Sequence, residues 1–312
     1  MNILNTQPVP DKIIADIEKL GYTFYDYKKT RVDEALALNI DILFGHEPFR
    51  FLPISNYPNL KMVQLGSAGI NHMPLEEIES RGILLCNNRG TFSIPIAEFV
   101  VMRILEILKY SRALDNLQIE KQWQKLMSIR ELSNHTVGFI GTGSIAIEAA
   151  KRLTPFGCEI VGYSKSGKLR EFFHSVYTME SANNNIGNCD FIVITAPYTK
   201  ETHHLVDSDL LNSMKEGASI INIARGSIID ELALIESLQK NHIAFAALDV
   251  FELEPLPETS PLWNMENVLI SSHTSFVSPI NEQRTMATLV ENLKRFKSGK
   301  ELINLVDTTK GY

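Results

Sequence analysis

The chain has 312 residues, too many for one ordinary core and suited to two domains. Its hydrophobic share of 44% and charged share of 21% exclude a disordered chain. The formal net charge of -7 argues against nucleic acid or an anionic membrane as a partner.

Strand and helix signals alternate from the start. Ile3 and Leu4 lie in a short opening strand. Ile13, Ile14, Ile17 and Leu20 recur at helical spacing, and Gly21 stops that helix. Residues 41–44 and 60–65 read as buried strands. The second runs into the turn Gly66-Ser67-Ala68-Gly69. Residues 76–82 predict a short helix ended by glycine, and residues 83–86 a strand. Together these form a first α/β domain. A long helix is expected over 94–112. Its apolar stretch is interrupted by Glu98, Arg103 and Glu106, so it reads as a buried helix and not a membrane span. A polar stretch with Trp123 follows.

From Thr136 the alternation restarts with fuller strands, at 137–140, 159–163, 191–195, 219–223, 244–248 and 268–271. Helices are expected at 145–153 and 231–240. Near-continuous apolar strands fit a parallel sheet covered on both faces. The last helix, 281–297, carries Met286, Leu289, Val290, Leu293 and Phe296 on one face. It can pack back on the first domain, and periodicity leaves that open. The fold class is therefore α/β, with parallel sheets.

Cys86, Cys158 and Cys189 are far apart and lack CxxC spacing. They predict reduced thiols in a cytoplasmic protein, and no metal site is expected. The opening residues MNILNTQPVP lack a basic segment followed by an apolar core, so no signal peptide is expected.

Val137-Gly138-Phe139-Ile140-Gly141-Thr142-Gly143-Ser144-Ile145-Ala146 reads as a strand, a G-x-G-x-x-A turn and a helix. Gly141 permits the tight turn, Gly143 lets backbone approach a pyrophosphate, and Ala146 lets the helix pack close. The N–H groups at the helix start, at Ser144 and Ile145, then face the anion. In NAD-binding proteins the second strand ends in a carboxylate that meets the adenosine ribose. Here it runs into Ser164-Lys165-Ser166, with no carboxylate. Hydroxyls and an ammonium group suit a 2′-phosphate, so a preference for NADP(H) is expected, with NAD(H) as the alternative.

Three later strands each end in polar residues. Arg225 follows 219–223, Asp249 and Glu254 follow 244–248, and His273 follows 268–271. Ligands of open parallel sheets bind at that edge. Guanidinium matches a carboxylate. Reduction of a ketone needs a proton donor near neutral pH, which suits histidine, and a carboxylate partner orients the ring.

At these residues the chain resembles the D-isomer-specific 2-hydroxyacid dehydrogenases over nearly its whole length. The matching segments include Gly66-Ser67-Ala68-Gly69-Ile70-Asn71, Gly90 to Glu98, the glycine loop, Ala196-Pro197-Tyr198-Thr199-Lys200-Glu201-Thr202 and Asn222-Ile223-Ala224-Arg225-Gly226. The resemblance implies two Rossmann-like, doubly wound parallel domains with an interdomain cleft: a substrate domain of residues 1–95 completed by 283–312, and a dinucleotide domain of 96–282. It implies that His273 is the acid/base paired with Glu254. Arg225 would bind the substrate, with Ser67, Ala68 and Gly69 holding its carboxylate. Ala196, Pro197, Thr202, Ile223, Ala224 and Asp249 would line the cofactor. It also implies a homodimer, and a small 2-keto or 2-hydroxy acid as substrate. His46, Phe49, Met73 and Tyr198 are candidates for the pocket wall. Two alternatives remain open: a phosphite-type dehydrogenase on the same scaffold, and a non-catalytic, dinucleotide-sensing protein like the C-terminal-binding corepressors.

Overall fold

A computed structural model of the chain describes residues 1–70 and 72–308. Asn71, at the end of the first glycine-containing turn, and residues 309–312 of the expected completing segment lie outside the described residues. The chain divides into two compact units, Met1–Thr91 with the segment from Ser278, and Phe92–Val277.

The first unit opens with β1 (Asn2–Asn5), α1 (Asp11–Lys19), β2 (Thr23–Tyr25), α2 (Glu34–Ala37), β3 (Ile42–Gly45), β4 (Met62–Leu65), α3 (Leu75–Ser80) and β5 (Leu84–Cys86). Its five strands are parallel in the order β2-β1-β3-β4-β5. That order reverses between β1 and β3, which is where open sheets of this kind bind ligands.

The second unit begins with α4 (Ser93–Lys109), α5 (Ser111–Ile119), β6 (Thr136–Ile140), α6 (Ser144–Leu153), β7 (Glu159–Ser164) and β8 (Ser175–Thr178). It continues with β9 (Phe191–Ile194), α7 (Ser208–Ser213), β10 (Ala218–Asn222), α8 (Glu231–Gln239), β11 (Ile243–Leu248) and β12 (Val268–Ile270). Seven parallel strands stand in the order β12-β11-β10-β9-β6-β7-β8, with the reversal between β6 and β9. One face of this sheet is covered by α4 and α6. The apolar stripe Ile96, Val100, Ile104 and Ile107 of α4 shares a core with Ala146, Ala149, Ala150 and Leu153 of α6 and with Phe139 and Val193 of the sheet. The alanine face of α6 is what lets this helix lie close. The other face packs Ile192, Ile220 and Leu248 against Leu210, Leu234 and Leu238.

The last helix, α9 (Asn281–Lys297), returns to the first unit. Met286, Leu289 and Leu293 share a core with Ile3, Ile17, Phe44 and Met62. Asn292 is fully buried and donates to Gln64 Oε1 at 2.7 Å.

The elements depart from the sequence reading in a few places. The long helix expected over 94–112 stops at Lys109, because Tyr110 takes a left-handed conformation (φ 51°) that starts α5. The short elements β2, α2, β8 and α7 escaped the periodicity reading. At three to six residues they span too little chain to show a period.

Each sheet carries one aspartate at its amino edge. Asp41 accepts from the Asn2 N–H at 2.8 Å and from Lys61 at 2.7 Å. Asp190 accepts from the Thr136 N–H at 2.9 Å and from Lys215 at 2.7 Å. Burial alone would push both carboxyls up, but the lysine and the strand N–H prevail and hold each below its ordinary value.

Candidate active site

The glycine loop leaves β6 at the switch point of the second sheet. Gly141 has φ 98°, and a Cβ there would come 2.6 Å from the Ala196 nitrogen. Only glycine allows the β6 and β9 loops to approach this closely. Thr195 locks them together, its hydroxyl donating to Gly141 O at 2.8 Å. Helix α6 has no side-chain cap. Among the described residues the N–H groups of Ser144, Ile145 and Ala146 meet no protein acceptor. A Cβ added at Gly143 would meet nothing within 4 Å. Three converging donors at a helix start with open space beside them fit a pyrophosphate.

At the end of β7, Ser164 Oγ is buried without a hydrogen-bond partner. Lys165 Nζ lies 2.8 Å from Glu201 Oε2, and both side chains are largely exposed. Such a pair is weak and exchanges readily for a stronger anion. Ser166 Oγ accepts from the Lys168 N–H at 3.4 Å. The loop after β9 is shaped by Thr202, whose hydroxyl donates to Pro197 O at 2.8 Å and accepts from the Thr199 N–H at 2.7 Å.

Arg225, Glu254 and His273 follow three adjacent strands, β10, β11 and β12. Asn222 ends β10 fully buried. Its side chain accepts from the Ala224 N–H at 3.1 Å and donates to Arg225 O at 3.0 Å, so Ile223 and Ala224 are held in a fixed bend. Arg225 Nη1 donates to Ala224 O at 2.6 Å. Burial pushes its guanidinium below the ordinary value and the charge of Glu254 opposes this, so the two groups sense each other. Gly226 has no room for a side chain, because a Cβ would overlap the Phe251 carbonyl. That contact pins the arginine loop to the segment that carries Glu254.

His273 Nδ1 lies 2.8 Å from Glu254 Oε2. Glu254 Oε1 accepts from the Phe251 N–H at 3.1 Å. Both side chains are more than a third exposed, at 40% and 37%, so His273 is not a core histidine. Its Nε2 has no hydrogen bond among the described residues. The backbone of His273 is left-handed (φ 49°), a conformation that costs about 1–3 kcal/mol and must be imposed by its surroundings.

Asp249 imposes it. At 1% exposure, its carboxylate accepts from Ser271 Oγ at 2.7 Å and from the N–H groups of Thr274 and Ser275 at 2.9 Å each. Its carbonyl accepts from the His273 N–H at 2.8 Å. Asp249 thus spends its carboxylate on the histidine loop. Ser272 stands immediately before His273, and the His273–Glu254 pairing is formed.

In the first unit, Gly66-Ser67-Ala68-Gly69 follows β4. The side chains of Asn88 and Asn87 donate to Gly66 O at 3.2 Å and Ala68 O at 3.0 Å. Ser67 Oγ donates to Gly69 O at 3.0 Å. With these carbonyls occupied, the N–H groups of Ala68 and Gly69 point to no protein acceptor among the described residues. Of the wall candidates, His46 is exposed and its carbonyl accepts from His72 Nε2 at 2.7 Å. Phe49 is half-buried, with its ring centroid 6.3 Å from that of Tyr57. Met73 is buried in the unit's core. Tyr198, in the second unit, meets His203 edge-on at 6.0 Å.

Sequence reasoning missed Asn222, Thr195 and the positioning role of Asp249. It also missed a second pair, His204 with Glu252. Thr195, Asp249, His204 and Glu252 act through partners distant in sequence, and Asn222 through its near neighbours Ala224 and Arg225.

Residues 101–275 match the family described as D-isomer specific 2-hydroxyacid dehydrogenase, NAD binding domain. A glyoxylate reductase of Thermofilum pendens is 34% identical over 243 residues, covering 76% of this chain and 71% of that protein. A glyoxylate/hydroxypyruvate reductase of Arabidopsis thaliana is 30% identical over 271 residues, 85% of this chain and 82% of its own. Among solved structures, a D-isomer specific 2-hydroxyacid dehydrogenase of Xanthobacter autotrophicus, in complex with NADPH and MES, superposes with a TM-score of 0.84 at 26% identity, covering 100% of this chain and 99% of that one. The NADPH-dependent glyoxylate/hydroxypyruvate reductase SmGhrA of Sinorhizobium meliloti, in complex with NADP and sulfate, gives 0.82 at 26% identity over 100% and 99%. Two parallel α/β sheets, a dinucleotide loop at the switch point and this kinship together say that the chain belongs to the D-isomer-specific 2-hydroxyacid dehydrogenase family and is a nicotinamide-dependent dehydrogenase that works by hydride transfer.

Proposed function

We propose that the protein is an NADPH-preferring reductase of small 2-keto acids, of the kind that reduces glyoxylate or hydroxypyruvate. The observation that carries this is the His273–Glu254 pair, with its Nε2 clear of protein partners among the described residues, on the strand edge that also bears Arg225. In this reading the unit from Phe92 to Val277 is the dinucleotide domain, and the unit that opens the chain is the substrate domain.

The dinucleotide supplies the hydride for the carbonyl carbon. Ser144, Ile145 and the loop around Gly143 hold its pyrophosphate. Ala196, Pro197, Thr202, Ile223 and Ala224 line its bed. Asp249 acts there by fixing the loop that ends in His273. Ser164, Lys165 and Ser166 take the 2′-phosphate, Lys165 exchanging Glu201 for the stronger anion. The relatives from Xanthobacter and Sinorhizobium that hold NADPH or NADP support this choice.

Arg225 donates to the substrate's carboxylate and keto oxygen. His273 Nε2–H gives its proton to the oxygen as negative charge develops there. Glu254 accepts from the Nδ1–H and orients the ring. In the reverse direction Nε2 takes the hydroxyl proton. Oxidation of NADPH and NADH against a panel of 2-keto acids, with His273→Ala as control, tests the reading. NADPH-preferring turnover that collapses in the variant is expected. Turnover that prefers NADH overturns the cofactor choice. Turnover of phosphite and of no keto acid overturns the substrate class.

A homodimer in the cytoplasm completes the proposal. Ile119, Trp123 and Met127 lie exposed on and after α5, large apolar side chains of the kind a second copy covers. All three thiols are buried, and burial pushes Cys86 up to about 12 and Cys158 and Cys189 up to about 11, so they stay unreactive. Among the described residues no helix is long and apolar enough to cross a membrane.

A further inference from the structure

A second histidine–carboxylate pair stands in the second unit, and the reaction above makes no use of it. His204 Nε2 hydrogen-bonds Glu252 Oε1 across 48 positions of sequence. Side-chain exposures are 36% and 35%.

Three loops meet at this pair. His204 lies on the loop after β9, and its N–H donates to Ser227 O at 2.9 Å, two residues beyond Arg225. The contact continues as a short parallel bridge between Val206 and Ile229, closed by Val206 N–H to Ile228 O and Asp230 N–H to Val206 O at 3.0 Å each. Glu252 precedes Glu254 by two residues, and its N–H donates to Glu231 Oε2 at 3.3 Å. The ring of His203 stacks on that of His204 at 4.0 Å. His204 is itself left-handed (φ 50°), a strained backbone that its neighbours must maintain.

Glu254 is fixed within its own segment by the Phe251 N–H. The placement of that whole segment against the arginine loop rests on the backbone contact at Gly226, on the Asp249 N–H bonded to Asn222 O at 3.0 Å, on the Glu252 N–H bonded to Glu231, and on the His204–Glu252 bond, the one side-chain pair of these that reaches across from the loop after β9. We propose that His204, through Glu252, is a positioning residue for hydride transfer, tying the segment of Glu254 to the loop of Arg225. The inference rests on the roles of Glu254, His273 and Arg225 given above. A half-exposed pair adds little to stability. A misplacement of about 1 Å at a reacting group costs up to about 10²-fold in rate. Its loss therefore reads in turnover before it reads in unfolding.

The test is a double-mutant cycle of His204→Ala and Glu252→Ala, with His204→Gln as the variant that still donates to Glu252. Steady-state rates are measured with NADPH and glyoxylate, or with the best acid of the panel above. We expect each single change to lower kcat about tenfold, the double to fall no further, and His204→Gln to recover most of the loss, as residues acting as one unit do. The KM for NADPH and the thermal midpoint should stay near the parent's. An unchanged kcat, losses that multiply in the double variant, or a loss that only follows the thermal midpoint overturns the proposal. A crystal structure of the His204→Ala variant gives a reading independent of turnover. Displacement of Glu254 from Arg225 is expected, and an unmoved Glu254 overturns it. Full activity in His273→Ala would instead sink the catalytic reading beneath it, whatever His204 does.

Discussion

Two histidine–glutamate pairs stand in the loops of the same sheet, and they use opposite ends of the imidazole. His273 meets Glu254 through Nδ1, so Nε2 is left for a substrate. His204 meets Glu252 through Nε2, the end a substrate would need. The two pairs are almost equally exposed, and both histidines have left-handed backbones near φ 50°. Burial, backbone strain and the presence of a carboxylate therefore do not separate the proposed acid/base from the proposed tie. What separates them is which ring nitrogen is already spent.

The sharpest way to break this comparison is to delete each ring. His273→Ala should lower kcat/KM for keto-acid reduction by about 10²–10⁴-fold, the span of general acid–base catalysis. Dinucleotide affinity, read by fluorescence titration, should hold. His204→Ala should cost about tenfold, and equal losses would erase the distinction. Next in size is Arg225→Lys. An ammonium group keeps the charge but loses the fork, so kcat/KM should drop by about 10²-fold, with the larger share in KM for the acid. A smaller effect tests the cofactor side. Lys165→Ala should reduce the preference for NADPH over NADH by about tenfold, one charge-assisted hydrogen bond of about 1.5 kcal/mol. No change in that ratio would remove Lys165 from the 2′-phosphate site.

The smallest catalytic effect is expected at the opposite edge of the sheet, where Asp190 forms a purely structural tie. Asp190→Asn should leave kcat near the parent's and lower unfolding stability at neutral pH by about 1–3 kcal/mol. The sign follows from its depressed carboxyl. The folded chain holds that proton less tightly than the unfolded one, so the stabilisation is present above the ordinary carboxylate range. It is lost as pH falls through the lower, folded value. Denaturant midpoints of parent and variant should therefore converge in acid. A gap that stays constant with pH would remove ionisation from the account.

Much of the architecture was legible in the chain itself. β6, β7, β9, β10 and β11 read directly because strands buried on both faces are apolar runs. Helix α9 was found at its observed bounds, since seventeen residues are enough to show a stripe. The glycine loop, Arg225, Glu254 and His273 stood out because each follows such a run. The edge strands β2 and β8 did not, being short and only partly buried. The stop at Tyr110 did not either, because a left-handed residue without glycine leaves no mark in a periodic pattern.

The sequence by itself determined the longer strands and helices, where the dinucleotide turn lies and which polar residues end the strands. All of these are local, set by apolar spacing and by backbone freedom at a few positions. Tertiary structure alone decided that α9 completes the first core, that Asp249 spends its carboxylate on the loop of His273, and that His204 meets Glu252. The reason is distance along the chain. Hydrogen bonds spanning 20 to 50 positions depend on where the sheet sets its loops down, and no pattern within one segment carries that information.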